Sequence, residues 1–375
     1  MMGELARRYP RGSLVVSTGA YADSAESDAQ IPQPVDRTPI RATRLRTIHG
    51  LVLWTARAGA LARRRRPGFV WCGELKPAGY PARWLRARYG IPYGVIVYGT
   101  ELLLLDAKIR RSRFKRGTAA SLLGHAAVVV AISRWTADLA RDVLRALGGR
   151  SAALAPRVET VPLGTTPAQF RPGLDCSGVI AKYGLDGTAP RVLTVARLEW
   201  HKGIDTVIRA LPAVRAAHPG TRYVVAGVGD RRPQLERLAA ELGVADAVRF
   251  LGLVPDVELP ALYNAADLYV GVSRRHELLA EGFGISLVEA SACGIAVLGG
   301  RSGGVPDAVR ESETGMLVDP EDPGAVAAGI NALLWDGERR QRMGAAGRRA
   351  VESYFNWDRV ANDLMDIDRR YRSTG

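Results

Sequence analysis

Two carboxylates, Glu281 and Glu289, stand eight positions apart in the run Glu281-Gly282-Phe283-Gly284-Ile285-Ser286-Leu287-Val288-Glu289. Glycine has no Cβ, so backbone N–H groups in such a segment can come close to a ligand. The apolar residues from Ile285 onward read as the start of a helix, and a helix N-terminus attracts phosphate. Each carboxylate can accept from a pair of hydroxyls. One segment thus offers places for a phosphate and for the sugars on either side of it, which is the outline of a nucleotide sugar.

A second run, Val195-Ala196-Arg197-Leu198-Glu199-Trp200-His201-Lys202-Gly203, contributes cations. Arg197 offers a planar fork and Lys202 a point charge, and together they can neutralise a diphosphate. Taken alone, an Arg and a Lys in a loop are usually surface charge. They gain weight beside the glutamate segment, because both runs follow strands and would share one sheet edge. Two glycine turns also follow strands: Gly227-Val228-Gly229-Asp230 and Gly299-Gly300-Arg301-Ser302-Gly303-Gly304-Val305-Pro306-Asp307. A tight turn explains the first equally well. In the second, close approach of backbone to a ligand competes with a plain mobile loop.

The elements that must position these residues alternate between strand and helix. Residues 191–195, 223–227, 248–251, 268–272 and 296–298 read as buried strands. Ile204, Val207, Ile208, Leu211 and Val214 recur at helical spacing, and another helix is expected near residues 235–242. Strands separated by helices of this length imply a parallel sheet covered on both faces, and such sheets bind ligands beyond the carboxyl ends of their strands. Residues 14–16, 69–71, 94–97 and 128–132 repeat the theme in the first half. The Pro- and Gly-bearing residues 162–172 read as a linker. The expected division is residues 1–168, 169–355 and a final amphipathic helix within 356–375 that crosses back to the first domain; that helix covers about 358–371.

The chain opens on what reads as the tail of a helix, Glu4-Leu5-Ala6-Arg7-Arg8-Tyr9. A doubly wound domain normally opens on a strand, a Gly-rich turn and a helix. That unit is therefore expected upstream of Met1.

A chain of 375 residues with 47% hydrophobic content can fill two cores. Its three cysteines, Cys72, Cys176 and Cys293, have neither metal spacing nor an even-numbered framework, which points to a reducing compartment. No apolar h-region opens the sequence, and the longest apolar runs, such as residues 126–132, are too short to span a bilayer. The net charge of +14 includes Arg63 to Arg66 and the run Lys108-Ile109-Arg110-Arg111-Ser112-Arg113-Phe114-Lys115-Arg116. Anionic lipid headgroups would attract such a surface. No nucleic-acid motif accompanies it. The competing explanation is a solvated face of an Arg-rich composition.

Together these motifs resemble the retaining glycosyltransferases of family 4, over nearly the whole chain and most strongly from residue 191 to 319, including Thr314-Gly315-Met316-Leu317-Val318. The stretch Ala290-Ser291-Ala292-Cys293-Gly294, continuing through Gly299 to Pro306, is most similar to mannosyltransferases acting on phosphatidylinositol lipids and their relatives. The resemblance implies the GT-B fold of two facing Rossmann-like, doubly wound domains. It implies transfer of a hexosyl group, mannose from GDP-mannose being favoured, from a nucleotide diphosphate sugar to an acceptor hydroxyl with retained configuration. It assigns the donor diphosphate to Arg197 and Lys202, the donor sugar to Glu281 and the ribose to Glu289, with Gly282, Phe283, Gly284, Ile285 and Ser286 lining the donor site. It implies no metal and no cofactor, the nucleotide sugar being a substrate. The expected location is cytoplasmic, peripheral at the inner membrane face, with a lipid-linked acceptor.

The first half departs from the family pattern. A His-Gly motif is common there, with the His near the transferred sugar; here the stretch reads Val97-Tyr98-Gly99-Thr100-Glu101, and Tyr98 takes that place. Tyr98, Gly99 and Glu101 are the expected acceptor-side residues. His125 is the nearest histidine in sequence and reads as a packing or surface residue on a helix. Two rival functions stay open: a sugar-nucleotide epimerase of the same fold, and a non-catalytic nucleotide-sugar-binding protein. The dinucleotide fingerprint is absent, because Gly227-Val228-Gly229 does not extend into it.

Overall fold

The computed structural model describes residues 2–20, 28–29, 31–39 and 46–372. The chain divides into two compact units, one formed by residues 1–161 with 357–375, the other by residues 162–356. The expectation of an opening unit before Met1 lies outside the described residues.

Among the described residues, the first unit holds two parallel sheets. One pairs β1 (Val16–Gly19) with β2 (Val35–Thr38); the other has the order β3 (Val70–Cys72), β4 (Tyr93–Val97), β5 (Val128–Ala131), β6 (Val158–Thr160). Every residue of β4 and β5 is buried, so both faces of this sheet are covered and the strands need no polar alternation. Val95, Val97, Val129 and Ala131 meet Leu102, Leu123, Val143 and Leu144 from the flanking helices in one core. Helix Arg134–Leu147 begins where the Ser133 hydroxyl accepts from the Thr136 N–H at 3.1 Å, a side-chain cap for an otherwise orphaned donor. The last helix, Trp357–Tyr371, buries Trp357, Val360, Leu364 and Ile367 at helical spacing. It packs beside helix Met2–Arg8, and Arg8 Nε reaches Asp358 at 2.8 Å.

The second unit is a six-stranded parallel sheet. Its strands are β7 (Arg191–Val195), β8 (Arg222–Ala226), β9 (Val248–Gly252), β10 (Leu268–Gly271), β11 (Val297–Gly300) and β12 (Gly315–Val318), in the order β12-β11-β10-β7-β8-β9. The chain winds from β7 outward to β9 and then returns to the other side of β7. That reversal makes the carboxyl ends of β7 and β10 neighbours and leaves a crevice there, the usual ligand position in open α/β sheets. Val192, Val225, Val270 and Leu298 pack against Ile204, Ile208, Leu211, Val326 and Ile330 in its core.

Residues 162–172 differ from the expected linker. Thr165 N–H donates to the Phe355 carbonyl at 2.9 Å, and Phe170 is buried against Tyr263 with ring centroids 5.9 Å apart. One guanidinium nitrogen of Arg348 donates to the carbonyls of Pro167, Phe170 and Ala292 at 2.8–3.0 Å. These contacts bind the stretch into the second unit, so the chain crosses over at Val161 rather than after residue 168. No helix among the described residues is long and apolar enough to cross a membrane.

Candidate active site

The loop after β7 and the loop after β10 meet through a missing side chain. Gly203 has φ +70°, and a Cβ there would stand 2.0 Å from the Val272 carbonyl oxygen. Only glycine permits that approach and that backbone conformation. The preceding residue, Lys202, is thereby carried to the end of β10, where its Nζ lies 2.5 Å from Glu281 Oε2. Ser273 Oγ donates to the same carboxylate oxygen at 3.4 Å. A third loop holds Glu281 from behind: Gly304 N–H donates to the Glu281 carbonyl at 2.9 Å, and a Cβ on Gly303 would be 2.4 Å from that oxygen. The glycines after β11 therefore approach the backbone of Glu281.

The resulting recess is lined by Lys202, Glu281, Ser273, Thr194, Tyr269, Gly284 and Ser286, among others. Gly284 caps helix Ile285–Ala292, so the first N–H groups of that helix open beside the ion pair. The Tyr269 hydroxyl is buried beneath, 3.3 Å from the Val195 carbonyl, to which it donates. Burial alone would raise the Glu281 pKa, but the charge and hydrogen bond of Lys202, with help from His201 and Ser273, hold it below the usual range. Glu281 is thus an anion fixed against a cation. It can orient hydroxyls, while Lys202 and the helix N-terminus face incoming negative charge.

Arg197 sits differently. Its guanidinium is 68% exposed and pairs with Glu199 at 2.5 Å. The other oxygen of Glu199 lies 3.1 Å from Nδ1 of the buried His201. Burial and then the neighbouring Lys202 push the His201 pKa down to about 4, so the imidazole is neutral near pH 7. The β7 loop thus presents both expected cations, each beside its own carboxylate. Glu199, His201, Ser273 and Tyr269 were not expected from sequence. The polar Ser273, two positions beyond an apolar strand end, was the one available signal.

Two expected donor-site residues have other surroundings. Phe283 is 1% exposed and packs 6.2 Å from Phe355, so its side chain belongs to the core. Glu289 lies one turn into helix Ile285–Ala292, outside the recess, and accepts from the buried Tyr263 hydroxyl at 2.8 Å. Burial, outweighing that hydrogen bond and helped by Asp256, pushes its pKa up to about 7. Gly282 is buried in the loop, and Ile285 opens the helix.

In the first unit, Tyr98, Gly99 and Glu101 form one turn at the end of β4. The Glu101 carboxylate accepts from the backbone N–H groups of Tyr98 and Gly99, the latter at 3.3 Å. Gly99 has φ +112°, and Trp135 packs where its Cβ would be. Burial, then the charges of Glu101 and Glu74, push the Tyr98 hydroxyl up to about 12, so it is a neutral donor. His125 lies just past the end of helix Arg113–Leu123.

Residues 179–350 match the family model described as glycosyl transferases group 1. Over 217 residues the chain is 38% identical to a GDP-mannose-dependent alpha-(1-6)-phosphatidylinositol monomannoside mannosyltransferase of Mycobacterium tuberculosis, covering 57% of this chain and 56% of the relative. The chain thus spans little more than half the length of that relative. A D-inositol 3-phosphate glycosyltransferase of Acidothermus cellulolyticus is 32% identical over 353 residues, covering 90% of this chain and 73% of its own. Among solved structures, Anabaena Alr3699/HepE in complex with UDP superimposes with a TM-score of 0.78 at 20% identity, over 98% of this chain and 95% of the other. That likeness extends the two-unit α/β architecture, the GT-B fold, across the chain.

Proposed function

The chain belongs to the glycosyl transferases group 1, family 4, and from that premise we propose that it moves a mannosyl group from GDP-mannose to an acceptor hydroxyl with retention of configuration. The observation that carries the reading is the Lys202–Glu281 pair at the β7/β10 reversal, beside a helix N-terminus. Departure of the nucleoside diphosphate develops negative charge on its β-phosphate. Lys202, Arg197 and the N–H groups near Ser286 stabilise that charge, and donors fixed in advance lose little to reorganisation. Glu281 holds the sugar hydroxyls and so the orientation of the anomeric carbon. The acceptor oxygen attacks from the face the leaving group vacates, and its proton passes to the leaving phosphate. That route needs no metal, cofactor or covalent nucleophile, because the cations come from the protein. Glu289 takes the ribose hydroxyls in its ionised form.

The names of the relatives support mannose and guanine as donor parts, and offer two acceptor classes, a phosphatidylinositol lipid and a soluble inositol phosphate. The lipid class is favoured by the basic run at residues 108–116 and by Phe114, which is 84% exposed within it. Such a face would bind an anionic leaflet peripherally, at about 1 kcal/mol per basic residue near the surface. A thermal-shift panel of GDP-, UDP- and ADP-sugars tests the donor, since a ligand binding only the native state raises the midpoint. GDP-mannose is expected to give the largest shift. A larger shift with a UDP- or ADP-sugar would overturn the donor assignment.

A further inference from the structure

We propose that the first unit carries a second anion site, for a phosphate group bearing an apolar chain, built by Arg83, Arg150 and His125 beside the groove between helices Gly79–Tyr89 and Arg113–Leu123. The occupant is an anionic phospholipid-class molecule bound singly. The site shares no residue with the donor recess and does not rest on the donor reading.

The histidine defines the charges. His125 Nδ1 lies 2.9 Å from the Ser121 carbonyl, an acceptor, so Nδ1 carries the proton and donates. Its Nε2 then accepts, and two guanidiniums converge on it: Arg83 Nη2 at 3.3 Å and Arg150 Nη1 at 2.9 Å. Two cations thus share one neutral acceptor. Among the described residues neither arginine has a carboxylate partner. Arg83 Nε is also buried without an acceptor. A buried donor without a partner is costly, and the two like charges, half-buried Arg83 and exposed Arg150, repel where they meet. A phosphate answers both: it supplies charge and accepts from a guanidinium fork in a bidentate fashion.

The groove supplies the other half of the ligand. It is a shallow, open depression of about 430 Å³, lined by Tyr80, Arg83, Phe114, Thr118, Ser121 and Leu122 among others. Phe114, Thr118 and Ser121 recur at helical spacing and lead along one helix face to His125. Arg83 belongs to the groove wall, so the cationic end and the apolar length are continuous. Phe114, 84% exposed, stands at the rim and offers the groove a free apolar face. Charge complementarity selects an anion, and the Phe114, Tyr80 and Leu122 surface selects a chain attached to it.

Calorimetry with dihexanoyl phosphatidic acid, a short-chain lipid kept below its micelle concentration, tests the site without any sugar nucleotide. Saturable binding of one molecule per chain is expected. It should weaken at least tenfold in the double variant Arg83→Gln with Arg150→Gln, and measurably in Phe114→Ala. Dihexanoyl phosphatidylcholine, with the same chains and no net charge, should bind more weakly than the acid. Phe114 is exposed, so its variant carries the test should the arginine variant fail to fold. Absence of saturable binding, or equal binding by wild type and both variants, overturns the proposal. Inorganic phosphate binding as tightly as the lipid would overturn the role of the groove.

Discussion

Two clusters, one in each unit, handle positive charge in opposite ways. At the β7/β10 reversal each cation has a carboxylate: Lys202 with Glu281 and Arg197 with Glu199, both at 2.5 Å. In the first unit Arg83 and Arg150 share a neutral histidine. On the same side of the chain, Arg116 caps the Ala146 carbonyl, and of the basic run Arg110 pairs with Asp106. Paired cations keep a defined geometry and exchange partners when a ligand arrives. Cations held by neutral acceptors leave their charge uncompensated and attract anions from outside. The first arrangement suits positioning for chemistry, the second suits capture of a surface or a headgroup.

The largest expected effect lies at the paired site. Lys202→Ala removes the charge facing the leaving phosphate and strands the Glu281 carboxylate in the recess. Turnover should fall by about 100-fold or more, measured as kcat against wild type. A kcat within threefold of wild type would show that the pair is structural.

Gly203→Ala should be nearly as damaging, through stability. The new Cβ would stand 2.0 Å from the Val272 carbonyl oxygen at φ +70°. A loss of about 3 kcal/mol in denaturant unfolding is expected. An unchanged midpoint would mean that the two loops do not need this contact.

Arg197→Ala comes next. Its exposed guanidinium is expected to add one charge-assisted contact, worth about 1.5–3 kcal/mol of donor affinity. Wild-type affinity in this variant would leave the diphosphate to Lys202 alone.

Glu289 gives a pH signature with a definite sign. Its carboxyl is held near 7 in the folded chain against 4.5 for an ordinary glutamate. The folded state therefore binds this proton more tightly than the unfolded one. The associated stability is fully present below about pH 4.5, is lost as pH rises toward 7, and changes no further above it. Nucleoside diphosphate binding, which uses the ionised form, should strengthen as pH rises through 7. Glu289→Gln should flatten both profiles. A wild-type pH dependence surviving in that variant would assign it to another group.

The smallest effect concerns the unpaired charges. Vesicle co-sedimentation should show binding to anionic membranes that weakens as salt shortens the Debye length. No binding at low salt would favour the soluble class of acceptor.

Much of this contrast could be read in the sequence, and the part that could not has physical reasons. Glu281, Lys202 and the helix start at Ile285 announce themselves, because local spacing and a preceding strand fix their place. Strand β2 does not: Val35-Asp36-Arg37-Thr38 has no apolar run, and its pairing with β1 comes from distant partners. Phe283 looked like part of the donor segment, yet its neighbour Phe355 lies far along the chain. The partners of Glu281 are equally remote in sequence, Lys202 being 79 positions away. The glycines after β8 and β11 left close approach to a ligand and a plain turn or loop equally open in the sequence; Gly227 and Gly303 in fact admit a neighbouring backbone. Sequence spacing shows which residues share an element; which loops touch is decided by the order of strands.

The most direct test of the central claim is calorimetric titration of GDP and GDP-mannose into wild type, Lys202→Ala and Glu281→Gln. Lys202→Ala should lose affinity for both ligands, whereas Glu281→Gln should keep most of its affinity for GDP and lose the increment contributed by the sugar. Wild-type affinity for GDP in Lys202→Ala, or equal loss of GDP binding in both variants, would contradict the assignment of the diphosphate to Lys202 and the sugar to Glu281.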